Sequence, residues 1–153
     1  MKKVIVLLHS QEYGNTAACA ALIAQGVRQV GGAEIQVELI NTNEVNRVDM
    51  RHLATCDGLA IGSPDYMSYV AGTIKQVFDD IYIAHKAGIV VEGKPCALFM
   101  THGGGGAGLK TLRSLAHGFK LVANPFSCQG APGECTEAIA LGEKLGKVVL
   151  GVR

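Results

Sequence analysis

Short apolar runs alternate with helix-patterned segments along the whole chain, and three of those runs end in loops rich in Gly, Ser, Thr and Asn. Val4 to Leu8, within a run that starts at Lys3, is apolar without a break, as in a strand buried on both faces. Thr16 to Val30 is alanine-rich and reads as a helix, started by Asn15 or Thr16 and stopped by Gly31-Gly32. Glu34 to Ile40 alternates, with Ile35, Val37 and Leu39 expected inward, as in a strand nearer an edge. A short, weakly amphipathic helix is expected over Val45 to Thr55, and a strand over Gly58 to Ile61. Ala71 to Lys86 places Ile74, Val77, Phe78 and Ile81 on one helical stripe. Then come a strand (Lys94 to Met100), a helix (Leu109 to Gly118), a fifth strand (Lys120 to Ala123 plus Phe126) and a last helix (Glu134 to Gly151).

Strand–helix alternation implies right-handed crossovers and a parallel sheet with helices on both faces. The expectation is an α/β three-layer αβα sandwich around a five-stranded parallel sheet in the order 2-1-3-4-5. At 153 residues and 48% hydrophobic content, one domain spanning residues 1–153 can bury a single core. No apolar stretch approaches the roughly 20 residues a membrane span requires. The run behind Met1-Lys2-Lys3 stops at Leu8 and is expected to be the first strand, not an export segment. A net charge of +1, with scattered Lys and Arg, argues against nucleic acid as a partner. The 5 cysteines include no C-x-x-C pair, which argues for a reducing, cytoplasmic location and mostly inert thiols. Cys128 and Cys135 flank a loop containing Gly130, Pro132 and Gly133 and could approach one another, though no working disulfide is expected there.

The first loop, His9 to Thr16, follows Val4 to Leu8; the second, Gly62 to Tyr66, follows Gly58 to Ile61; the third, Thr101 to Gly106, follows Cys96 to Met100. Open parallel sheets bind ligands outside the carboxyl ends of their strands, where the strand order reverses. In the first loop, Ser10, Asn15 and Thr16 surround Gly14, and the chain runs straight into a helix whose N-terminal amides and dipole favour an anion. The loop has no Lys or Arg, so a phosphate there is held by neutral donors, which suits a resident monophosphate rather than one being transferred. Glu12 must then point to solvent. The same residues also fit an ordinary Asn/Thr helix cap. Gly103-x-Gly105-x-x-Gly108 matches a dinucleotide fingerprint, but no acidic residue lies about 20 positions on to take a ribose hydroxyl. Gly103 to Thr111 misses the phosphate-binding P-loop by one residue before Lys110. His9, His52, His85, His102 and His117 show no metal spacing and are expected mostly at the surface or in packing, so no metal site is expected. His102, by position, either contacts a ligand or shapes its loop.

The run S-Q-E-Y-G-N-T (Ser10 to Thr16) resembles the phosphate loop of the flavodoxin superfamily. G-S-P-D-Y (Gly62 to Tyr66), followed by Gly72, Lys75 and Asp79, is similar to the corresponding segment of NAD(P)H-dependent FMN reductases and multimeric flavodoxin-like proteins. T-H-G-G-G-G-A-G (Thr101 to Gly108) resembles the H-G-G loop of flavodoxin-like NAD(P)H:quinone oxidoreductases. The resemblance spans the chain and implies a flavodoxin-like fold with non-covalent FMN. It implies that Ser10, Gln11, Tyr13, Gly14, Asn15 and Thr16 hold the phosphate. Ser63, Pro64, Asp65, Tyr66 and Met67 would line one side of the ring, and Thr101, His102, Gly103 and Gly104 the other, with His102 as the candidate catalytic group.

Two functions fit such a protein. One is an electron carrier serving a redox partner protein. The other is an NAD(P)H-dependent reductase acting on a quinone, a flavin or another small acceptor. A flavodoxin-like interaction module without FMN is a third reading, and association into a homo-oligomer stays open. Near-neutral charge and the absence of acids from the third loop imply a less negative flavin potential than in strongly acidic flavodoxins.

Overall fold

The computed structural model describes residues 1–11 and 13–152, so the expectation for Glu12 lies outside the described residues. The sheet is formed by β1 (Lys2–Leu8), β2 (Ile35–Asn41), β3 (Gly58–Pro64), β4 (Pro95–His102), β5 (Lys120–Leu121) and β6 (Phe126–Gln129). All pairings are parallel, in the order β2-β1-β3-β4, with β5 and β6 both pairing to β4 and sharing the fifth position. The helices are α1 (Asn15–Gly31), α2 (Met50–Leu53), α3 (Gly72–Lys86), α4 (Gly108–Leu115) and α5 (Thr136–Leu150). The three-layer α/β architecture and the strand order are those expected from the sequence.

One core lies between the sheet and α1 and α5, and contains Val4, Val6, Leu8, Ala60 and Phe99. The other lies under α2, α3 and α4, and contains Ile5, Leu7, Leu59, Ile61 and Leu98. Successive strand residues therefore feed opposite cores, which is why β1 tolerates no polar position in its centre. The α1–α5 contact is backbone-close: a Cβ on Gly142 would fall 1.9 Å from the Ile23 carbonyl oxygen. Only glycine fits there.

Four details differ from the sequence expectation. Leu39 is 39% exposed rather than inward: the core under α1 and α5 takes in Ile35 and Val37 from edge strand β2 but not Leu39. The helix expected over Val45 to Thr55 is a single turn. Its Asp49 side chain caps the Arg51 N–H at 2.9 Å, while upstream Arg47 is held by a bidentate pair with Asp80 and Val48 is buried. The fifth strand is interrupted over residues 122–125, a stretch that ends in Pro125, which cannot donate to a ladder. β3 and β4 run beyond Ile61 and Met100 to Pro64 and His102, so Pro64 pairs with Thr101 and the loop bases are part of the sheet.

Candidate functional site

The three loops meet at the carboxyl end of the sheet around a cleft of about 350 Å³. Its lining comprises Ser10, Gln11, Tyr13, Gly14, Asn15 and Thr16 from the first loop, Pro64, Asp65 and Tyr66 from the second, Thr101, His102 and Gly103 from the third, and Gly130 beyond β6. Ser63, Met67 and Gly104 are not among the lining residues. Ser63 turns inward: its hydroxyl donates to the Pro64 carbonyl at 2.8 Å and accepts from the Ala71 N–H at 2.9 Å, closing the second loop onto α3. Met67 is 99% exposed at the tip of that loop.

The first loop is fixed by neighbours distant in sequence. β1 and β2 place Leu8 opposite Asn41. The Asn41 side chain accepts from the Ser10 N–H at 3.1 Å and from the Asn43 N–H at 3.0 Å, and donates to the Ser10 carbonyl at 3.2 Å. Gly14 takes a left-handed conformation (φ 70°) ahead of α1, with no side-chain cap of its own. Ser10 acts as the cap instead, its hydroxyl accepting the Ala17 N–H at 3.1 Å, and the Ala18 N–H reaches the Gly14 carbonyl at 2.9 Å. Neither Asn15 nor Thr16, expected as the cap, fills that role.

His9 is 3% exposed, not a surface residue. Its Nδ1 lies 2.6 Å from the Thr73 hydroxyl, which in turn lies 2.6 Å from that of Thr42. Its Nε2 lies 2.6 Å from the Gln11 amide, and its ring meets the Tyr66 ring edge-on at 5.9 Å. Burial lowers the His9 pKa below the usual 6.5, favouring the neutral ring. His9, Asn41, Thr42 and Thr73 were missed in the sequence because their roles depend on tertiary register. A polar run directly after a buried strand was the one available signal.

The second and third loops are joined by the Asp65 N–H donating to the Thr101 carbonyl at 2.8 Å. The first and third are joined by the Thr16 and Thr101 hydroxyls at 2.6 Å. Tyr66 and Tyr69 exchange backbone bonds of 3.1 Å around a tight turn. Its central residues, Met67 and Ser68, both take positive φ (57° and 62°), a strained choice for non-glycine residues. Asp65 Oδ1 and His102 Nδ1 are buried without a hydrogen-bond partner among the described residues. The lining holds no Lys or Arg. Among the described residues no group of His, Cys, Asp and Glu could hold a metal ion. No helix among them is long and apolar enough to cross a membrane.

This geometry agrees with three comparisons. Residues 2–129 match the model of the family described as NADPH-dependent FMN reductase. A flavodoxin of Aquifex aeolicus is 34% identical over 108 residues, 71% of this chain and 54% of that protein. The chain thus spans about half the length of that relative. Among solved structures, a flavodoxin from the domain Archaea superposes with a TM-score of 0.78 at 22% identity, covering 97% of this chain and 99% of that one. A metal-soaked flavodiiron core from Synechocystis superposes with a TM-score of 0.81 at 19% identity, covering 98% of this chain but 36% of the other. Strand order, the convergence of three loops and a family match over most of the length lead to one conclusion: the chain has a flavodoxin-like fold and belongs to the NADPH-dependent FMN reductase family.

Proposed function

We propose that this chain is one flavodoxin-like domain over residues 1–153 and works as an electron carrier. FMN would be held with its phosphate on Ser10 to Thr16 and its ring between Pro64–Tyr66 and Thr101–Gly103. Two observations support the fit. Helix geometry leaves first-turn amides without intrahelical acceptors, and none of the hydrogen bonds among the described residues uses the N–H groups of Asn15 or Thr16. Pro64, Asp65, Tyr66, Thr101, His102 and Gly103 line the same cleft and bring backbone and side-chain polar groups to where the edge of a flavin ring would lie.

Bound FMN supplies one- and two-electron redox chemistry, and the protein supplies orientation and access. Tyr66 offers an aromatic surface to the ring, backed by the buried His9 ring. Asn15, Thr16 and Ser10 hold the phosphate with neutral donors, leaving the anion's charge uncompensated by any lining Lys or Arg. His102, which lines the cleft, would donate to the ring or to an incoming acceptor.

The observation that carries the carrier reading is the rim. Tyr13 is 84% exposed and Met67 99%, with Tyr66 and Tyr69 half-exposed beside them. Large apolar side chains grouped around a cleft mouth suit docking of a protein partner. A second reading, reductase action with NAD(P)H as donor and a quinone or flavin as acceptor, is favoured by the third loop. There, added Cβ atoms on Gly103 and Gly104 would meet nothing within 4 Å, which leaves room for a small planar molecule. A cytoplasmic location fits 5 cysteines that are all free.

Stopped-flow mixing of the FMN-loaded protein with NADH or NADPH separates the two. The carrier reading predicts no bleaching of flavin absorbance until a partner reductase is added. Bleaching by the nicotinamide alone, on a catalytic timescale, makes the protein a reductase. Purified protein that stays colourless in excess FMN would leave an interaction module instead.

A further inference from the structure

We propose that Cys128 and Cys135 form a redox-active dithiol that closes reversibly to a disulfide at the edge of the flavin cleft. Alternation along β6 puts Cys128 on the same face as Phe126. Phe126 packs into the core under α1 and α5, and that core also takes in Cys19 and Cys135. Cys135 is the N-cap of α5 and packs on that core, so the chain leaves β6 on Cys128's side and is back on that side at Cys135. All three thiols are free.

The three cysteines are not equivalent. Cys19 is fully buried on α1, and burial, then the neighbouring Cys128 and Cys135, push its thiol up to about 12. It is a bystander. Cys128 and Cys135 are only partly buried, so a small reagent reaches them. A metal is not the occupant, since no group of His, Cys, Asp and Glu among the described residues could hold one.

The position of the pair gives it a consequence. Cys128 lies opposite Thr101 and Gln129 opposite His102. The Gln129 amide donates to the Gly103 carbonyl at 3.2 Å, and the Gly130 N–H to the His102 carbonyl at 2.8 Å. The Cys128 thiol itself points at the Gly130 carbonyl, 3.9 Å away, and Gly130 lines the cleft. Drawing Cys128 toward Cys135 therefore pulls on the third loop.

The oxidant is a low-molecular-weight disulfide. One protein thiolate attacks it, forming a mixed disulfide and releasing one small thiol. The second protein thiolate then displaces the other small thiol. Two protein thiols lose two electrons and two protons, and the small disulfide gains them.

The test equilibrates the protein in a series of glutathione redox buffers, counts thiols after denaturation, and maps the digest by mass spectrometry. Two of the 5 thiols should disappear together, with the Cys128 and Cys135 peptides joined and two hydrogens lost. Cys135→Ser, which puts a favoured residue at the N-cap of α5, should instead trap Cys128 as a mixed disulfide with glutathione. Persistence of all 5 thiols in the most oxidising buffer, a link to Cys19, or a link between two chains overturns the proposal. The cleft consequence rests on the FMN reading and is measured separately, as a shift of about 5-fold in FMN affinity between reduced and oxidised forms, a modest inter-site coupling. Equal affinities remove the coupling. Failure of both forms to bind FMN overturns the cleft reading alone, because the thiol count needs no flavin.

Discussion

The two walls of the cleft are built on different terms. The first loop is wired: Asn41 grips the Ser10 backbone on both sides, Ser10 caps α1, and His9 ties Gln11 to Thr73 and Thr42. The third loop is bare of side chains: past His102 it is Gly103 to Gly106, held at its base by Gln129 and Gly130, and His102 Nδ1 lacks a partner among the described residues. The contrast separates affinity from access. Hydrogen bonds made before a ligand arrives lower the ordering cost of binding, so the wired wall should supply most of the grip. The bare wall supplies little and leaves one face approachable.

Damage to the wired wall should therefore have the largest effect. Asn41→Ala removes bonds worth ~1 kcal/mol each and is expected to weaken FMN binding about 10- to 100-fold, read by flavin fluorescence titration. Thr16→Val cuts the hydroxyl contact between the walls and leaves Thr101 without its partner. About 1 kcal/mol, or roughly fivefold in affinity, is expected by the same titration.

The His9 network gives the wired wall a pH dependence. Burial holds the folded His9 pKa below 6.5, so the unfolded chain takes up the proton first as pH falls. The stability contribution is complete above 6.5 and declines as pH drops from there through the folded pKa. Thermal melts on either side of pH 6.5 should show this decline, and His9→Asn should flatten it. Gly104→Ala, on the bare wall, meets nothing within 4 Å and should change FMN affinity by no more than ~0.5 kcal/mol. An effect as large as that of Asn41→Ala would erase the distinction between the walls.

The sheet and the convergence of the three loops on one cleft were legible because both depend on local pattern. A buried parallel strand is an apolar run, and the loop after it carries polar and glycine residues. Features that depend on register were not legible. Asn41 acts on Ser10 only because β1 and β2 pair Leu8 with Asn41, and nothing near Asn41 signals that. Leu39 follows the alternation of an inward residue, yet it lies outside the core that takes in Ile35 and Val37. Ser63 was expected beside the ring through the resemblance of G-S-P-D-Y to the reductase segment; here the Ala71 amide at the start of α3 claims its hydroxyl. Val45 to Asp49 look helical in composition, but the Arg47–Asp80 pair and burial of Val48 hold them in another conformation.

The central claim is that the neutral, prewired first loop holds the phosphate of one FMN. Calorimetric titration of the apoprotein with FMN, and in parallel with riboflavin lacking the phosphate, tests it directly. The account predicts one FMN per chain and far weaker riboflavin binding. No heat with FMN, or equal affinity for the two, would contradict it.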